Sequence, residues 1–150
     1  MIAWKYIDKQ SAAIAAVRDY NNMRAIINNT PDDIKALYGR MVSPRSSRMT
    51  GMPRVNNPRV GEDIIVKSLD KLDVMQERYR QAIEYMAWFE SAWGTLTDTE
   101  QTTIREFFMT GDLRSGATAR LMYKLDYSER QVFRIKETAL KRLSHMLFGK

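Results

Sequence analysis

The feature that most constrains this chain is the run from Glu62 to Trp93, the longest uninterrupted pattern in the sequence. Ile65, Leu69, Leu72, Tyr79, Ile83, Met86 and Trp93 recur at threes, fours and two sevens. That spacing predicts a helix of roughly nine turns with a seam close to a heptad repeat. Gln76 and Glu90 fall on the same seam. A coiled-coil homodimer would have to tolerate the charge at Glu90, and packing against N-terminal helices of the same chain serves the seam equally well.

The rest of the chain follows helical rules too. "SAAIAAVRDYNNMRAII", from Ser11, sets Ile14, Val17 and Ile27 on a helical repeat and ends at the polar "NNT" of residues 28–30, about four turns on. "TPDDIKALYGRM" then predicts a second, shorter helix ending near Gly39. Thr30 serves as its cap, Pro31 as its first residue, and Asp32 with Asp33 suit the positive end of its dipole.

Residues 39–61 differ in kind, with three of the four prolines, five arginines and no acid. Pro44, Pro53 and Pro58 forbid a regular helix across this stretch. It reads either as a solvated linker or as a basic arm, with Arg45, Arg48, Arg54 and Arg59 lying along nucleic acid phosphates.

Residues 97–150 predict three capped helices. "TDTE" makes a capping box of Thr97 and Glu100, with Ile104, Phe107 and Phe108 as the core face behind it. Ser115 can cap the next helix, whose Leu121, Met122 and Leu125 face inward. Ser128 and Gln131 form another capping box at the head of the last. No strand signal occurs anywhere. The expected fold is therefore all-α, with a helical N-terminal region over 1–96 and a C-terminal domain over 97–150.

The last helix has two faces. Ile135, Ala139 and Leu143 fall within about 60 degrees of Val132, whereas Arg130, Arg134, Glu137 and Lys141 lie about 140 to 200 degrees away. Phe133 and Gln131 border the charged face. Only Asp126, Tyr127 and Ser128 separate this helix from the one before it, a connection that suits a helix-turn-helix. Glutamate can accept from cytosine, arginine can grip guanine, and glutamine can pair with adenine, so "SERQVFR" has the chemistry of base reading. Twenty-four Lys and Arg against eighteen Asp and Glu leave a net charge of +6, which suits a polyanionic partner.

"LDYSERQVFRIKETALKRL" resembles the helix-turn-helix of the region-four domain of bacterial sigma factors. Leu125, Ser128, Val132, Ala139, Leu140 and Leu143 carry the match. From Leu96 to Leu147 the chain is similar to the sigma-like module of phage regulators of the ArpU and RinA type, and "NNTPDDIKAL" and "SPRSSRMTGMPR" also resemble such proteins. The resemblance implies Glu129, Arg130 and Phe133 nearest the base edges, with Gln131 and Arg134 beside them. It makes Arg114, Arg120 and Lys124 phosphate contacts, with Ser128 a cap that can donate to a phosphate. Lys141, on the outward face, is read as a further phosphate contact. Asp126 stands where the family usually has glycine, and Phe133 where it is often polar or basic.

The implied function is sequence-specific regulation of phage late genes on double-stranded DNA, with the N-terminal helices contacting host RNA polymerase or forming a homodimer. A recognition subunit for genome packaging, or a helical inhibitor or adaptor of a host protein, fits the same residues. No cysteine is present, which removes thiolate chemistry and disulfides and suits a cytoplasmic setting. The first ten residues lack a secretory pattern, and no stretch approaches the roughly 20 apolar residues of a membrane span. His145 is the only histidine. It suits a helix end, the paired acids suit helix starts, and no phosphate-cradling glycine loop is present. Neither a cofactor, a metal nor an enzymatic activity is expected.

Overall fold

The computed structural model describes residues 8–42, 58–110 and 116–149, and the fold is all-α, with no strand among those residues. Its helices are α1 (Lys9–Val42), α2 (Pro58–Trp93), α3 (Asp98–Ile104), α4 (Ala117–Leu125) and α5 (Glu129–Phe148). A π-helical turn, Arg105–Met109, extends α3. None of these helices is long and apolar enough to cross a membrane.

The two N-terminal helices expected from the sequence are one. α1 continues through Thr30 and Pro31, and Thr30 is buried instead of capping a new helix. The reason is periodic. Ala13, Ala16, Tyr20, Met23, Ile27, Thr30, Ile34, Leu37 and Met41 alternate spacings of three and four without a break, and all are buried or half-buried. Keeping that line in register requires an unbroken helix, and Pro31 lies on its exposed side. At the other end of the basic stretch, Pro58 occupies the first position of α2, where its missing N–H costs nothing.

The buried line of α2 also departs from the expected seam. It runs Ser68, Leu72, Met75, Tyr79, Ala82, Met86, Phe89 and Trp93, whereas Ile65, Leu69 and Ile83 are exposed. Two apolar lines share Leu72, Tyr79, Met86 and Trp93 and diverge elsewhere. Spacing alone fits both, and packing buries only the one that carries Phe89.

The chain divides into two compact units. One comprises residues 1–24 and 84–150, the other residues 25–83. In the first, Ala13, Val17, Phe89, Leu96, Ile104, Phe108, Leu140, Leu143 and Leu147 belong to one core. Residues 97–150 thus share a core with the start of α1 and the end of α2. Tyr85 Oη donates to the carbonyl of Ala16, which ties α2 to α1 within this unit. In the second unit, Asp33, Ala36, Leu37 and Arg40 of α1 line a groove with Lys71 and Met75 of α2.

Candidate nucleic-acid interface

Both predicted capping boxes in the C-terminal region form. Thr97 Oγ1 accepts from the Glu100 amide at 3.3 Å and Glu100 returns the bond to the Thr97 amide at 3.1 Å. Ser128 and Gln131 do the same at the head of α5, at 3.3 and 3.0 Å. Between α4 and α5 the chain turns at Asp126, in the left-handed conformation at φ 55°, ψ 41°. Aspartate bears that conformation better than most residues, which is how the turn closes without the usual glycine. At the other end of α4 the cap is Gly116, at φ 84°, whereas the expected cap Ser115 lies outside the described residues. Leu121 is buried and Leu125 half-buried as expected, but Met122 is exposed.

α5 packs through Val132, Ala139, Leu140, Leu143 and Leu147, with Ile135 half-buried. Glu129, Arg130, Arg134 and Lys141 are exposed on its other side. The helix carries five Lys or Arg against two Glu. Its first two turns expose Arg130 and Arg134, with Glu129, beside the α4–α5 turn. Gln131 Oε1 is taken up by the cap, which leaves the Nε2 group to donate to a base. Ser128 Oγ also lies 3.3 Å from Gln131 Oε1, so a phosphate would compete with that bond.

Phe133 is not simply an outward residue. It is 41% exposed, and its ring centroid lies 6.2 Å from that of Phe107. Lys136 Nζ sits 4.5 Å from the Phe107 centroid, 5.6 Å from Phe108 and 5.7 Å from Phe133. An ammonium among three rings is attracted to their electron-rich faces. One edge of Phe133 is thus committed to the protein, and only the rest can reach a ligand.

Glu106 has no counterpart in the sequence reading. It is buried on the π-helical turn, and Arg120 Nε approaches its Oε2 at 2.9 Å while Lys124 Nζ is bonded to its Oε1. Two expected phosphate contacts are therefore ion-paired inside the protein. Both keep solvent access, and a phosphate would have to share them with Glu106. A wider π turn advances the helix face less per residue than an α turn does. Glu106 lies on that turn and meets α4 through these two pairs. Arg120 and Lys124 share one face of α4 at an i, i+4 spacing, and that pairing is the sequence signal that an acid lies opposite.

The bond from Lys124, and then that from Arg120, holds the Glu106 carboxyl below its ordinary value of 4.5. The ionised acid thus stabilises the fold above that pH, and the contribution is lost as pH falls through the lowered native value. Glu106→Gln is expected to cost about 1 kcal/mol at neutral pH, since the two cations remain partly hydrated. The gap between variant and native protein should shrink in urea titrations below pH 4.5. A gap that is constant down to pH 3, about the lower edge of carboxylate titration, would mean that the pairing contributes nothing.

Arg142 Nη1 approaches Glu100 Oε2 at 3.0 Å, pinning the C-terminal half of α5 to the first turn of α3. Of the other expected contacts, Arg114 and the arm residues Arg45, Arg48 and Arg54 lie outside the described residues, and Arg59 falls in the first turn of α2. The exposed turns of α5 therefore bring together Glu129, Arg130, Gln131, Phe133 and Arg134. Compared with models of protein families, with curated proteins and with solved structures, the chain finds no match.

Proposed function

We propose that this chain is a sequence-specific DNA-binding regulator of transcription that enters the major groove with α5, in the manner of the phage late-gene regulators its C-terminal run resembles. One observation carries the reading. The short turn at Asp126–Ser128 and the capping box beyond it leave Glu129, Arg130 and Arg134 exposed on the first two turns of a helix whose opposite side is buried. Recognition helices meet base edges with those turns. Arg130 grips a guanine, Glu129 accepts from a cytosine, and the free part of the Phe133 ring touches a thymine methyl. Lys141 and the outer reach of Lys124 and Arg120 meet phosphates. The N-terminal helices are left for a homodimer or for host RNA polymerase.

Arg130→Ala is expected to lose about 1–3 kcal/mol on the specific site and little on random duplex. Fluorescence anisotropy with fragments selected from the encoding genome reads both. Binding that ignores salt would contradict the phosphate contacts. An equal loss from Lys67→Ala, an exposed base on α2, would reduce Arg130 to a matter of net charge.

A further inference from the structure

We infer that the exposed face of α2 between Leu69 and Ile83 binds a second copy of the same chain, antiparallel, about a two-fold axis at Gln76. The inference goes beyond the DNA reading and does not depend on it.

α2 carries more apolar surface than its neighbours cover. Beside its buried line, Ile65, Leu69 and Ile83 are exposed by 44–49%, and Val66 by 56%. Within the unit of residues 25–83 the described chain supplies only parts of two helices, so one apolar line is satisfied and the adjacent one faces water. An apolar stripe this wide is the mark of a helix with more than one neighbour.

The arrangement of the exposed line selects the occupant. Leu69 stands seven residues before Gln76 and Ile83 seven after it. When a second copy is turned end for end, Leu69 meets the partner's Ile83, Ile83 meets the partner's Leu69, and the two Gln76 side chains meet on the axis. A primary amide both donates and accepts, so it can pair with its own copy.

The charges along one flank repeat the symmetry. Asp73 precedes Gln76 by three residues and Arg80 follows it by four, which sets Asp73 beside the partner's Arg80 and repeats the pair on the other side of the axis. Flanking positions of antiparallel helices pair in this way. A parallel arrangement would set each residue level with its own copy and forgo the exchange. Arg80 is already held by Glu77, with Nη2–Oε1 at 2.6 Å and Nε–Oε2 at 3.0 Å, which keeps its guanidinium against the surface of α2. Glu62 and Glu90, fourteen residues to either side of Gln76, would repel across the axis and confine the contact to the central turns. A face that matches itself in apolar, amide and charged positions is complementary to a second copy before any other partner.

The experiment uses the full chain without DNA, so its outcome is independent of whether the protein binds a duplex. Sedimentation equilibrium is expected to give a dimer. Leu69→Glu should raise its dissociation constant about tenfold or more, because a charge would enter an apolar contact. Asp73→Arg and Arg80→Asp should each weaken the dimer, and the two changes together should restore it. The chain has no cysteine, so Gln76→Cys supplies a single thiol on the axis and should cross-link on oxidation, whereas Leu69→Cys should not. A monomer at the highest soluble concentration, a charge exchange without rescue, or efficient cross-linking through Leu69→Cys would each overturn the inference.

Discussion

Phe89→Ala is expected to cost about 3–5 kcal/mol of folding stability, the range for deleting a large buried aromatic side chain. Phe89 is fully buried. Tyr85 and Trp93 stack on it with centroids at 5.5 and 5.6 Å, and Tyr20 of α1 meets it at 5.5 Å and a tilt of 43°. Alanine would lose both the transfer energy of the ring and its contacts with three aromatic neighbours, and rigid rings cannot collapse into the space. The core containing Phe89 also takes in Ile104, Leu140 and Leu143, so the loss reaches the helices that carry the candidate interface. Urea unfolding followed by circular dichroism measures the change. Tyr123→Ala provides the contrast, because Tyr123 is 91% exposed and its removal should change stability by no more than about 0.5 kcal/mol. A loss from Phe89→Ala below about 1 kcal/mol would mean that the site relaxes, against the packing described.

The second large effect has the opposite sign. Pro31→Ala should stabilise the protein by about 2 kcal/mol. In a helix interior proline is about 3 kcal/mol less favourable than alanine, because it cannot donate to the carbonyl four residues earlier, here Ile27, and its ring crowds that turn. Part of the gain is returned, since proline also restricts the unfolded chain by about 0.4–1 kcal/mol. Pro31 is exposed, so no core contact is lost with the ring. The urea midpoint should rise with an unchanged slope. A lower midpoint would mean that the chain breaks at Thr30 and that Pro31 begins a separate helix.

Much of the fold was legible because its signals are local. The capping boxes of Thr97 with Glu100 and Ser128 with Gln131 each lie within four residues, and both form. The burial of Val132, Ala139 and Leu143 against the exposure of Arg130, Arg134 and Lys141 follows from one helical period. The all-α class follows from the same periodicity along the whole chain.

What could not be read depends on distant partners. Pro31 carries a strong local stop signal, and it was overridden by a buried line running from Ala13 to Met41. On α2 two apolar lines satisfied the same spacing, and burial distinguished Phe89 from Ile83. At the candidate interface, Arg120 and Lys124 looked available because Glu106, the acid they pair with, lies on a different element. Phe133, on the border of the charged face, gave no sign of its partner because Phe107, the ring it packs on, lies outside α5.

The aromatic grouping around Phe89 has a spectroscopic consequence. No tryptophan falls within residues 25–83, while Trp88 and Trp93 stand among the rings of the other unit. Indole emission therefore reports on the unit that contains α5, and far-ultraviolet ellipticity reports on α1 and α2 along their full lengths. The order in which the two units open can be followed in one unlabelled sample.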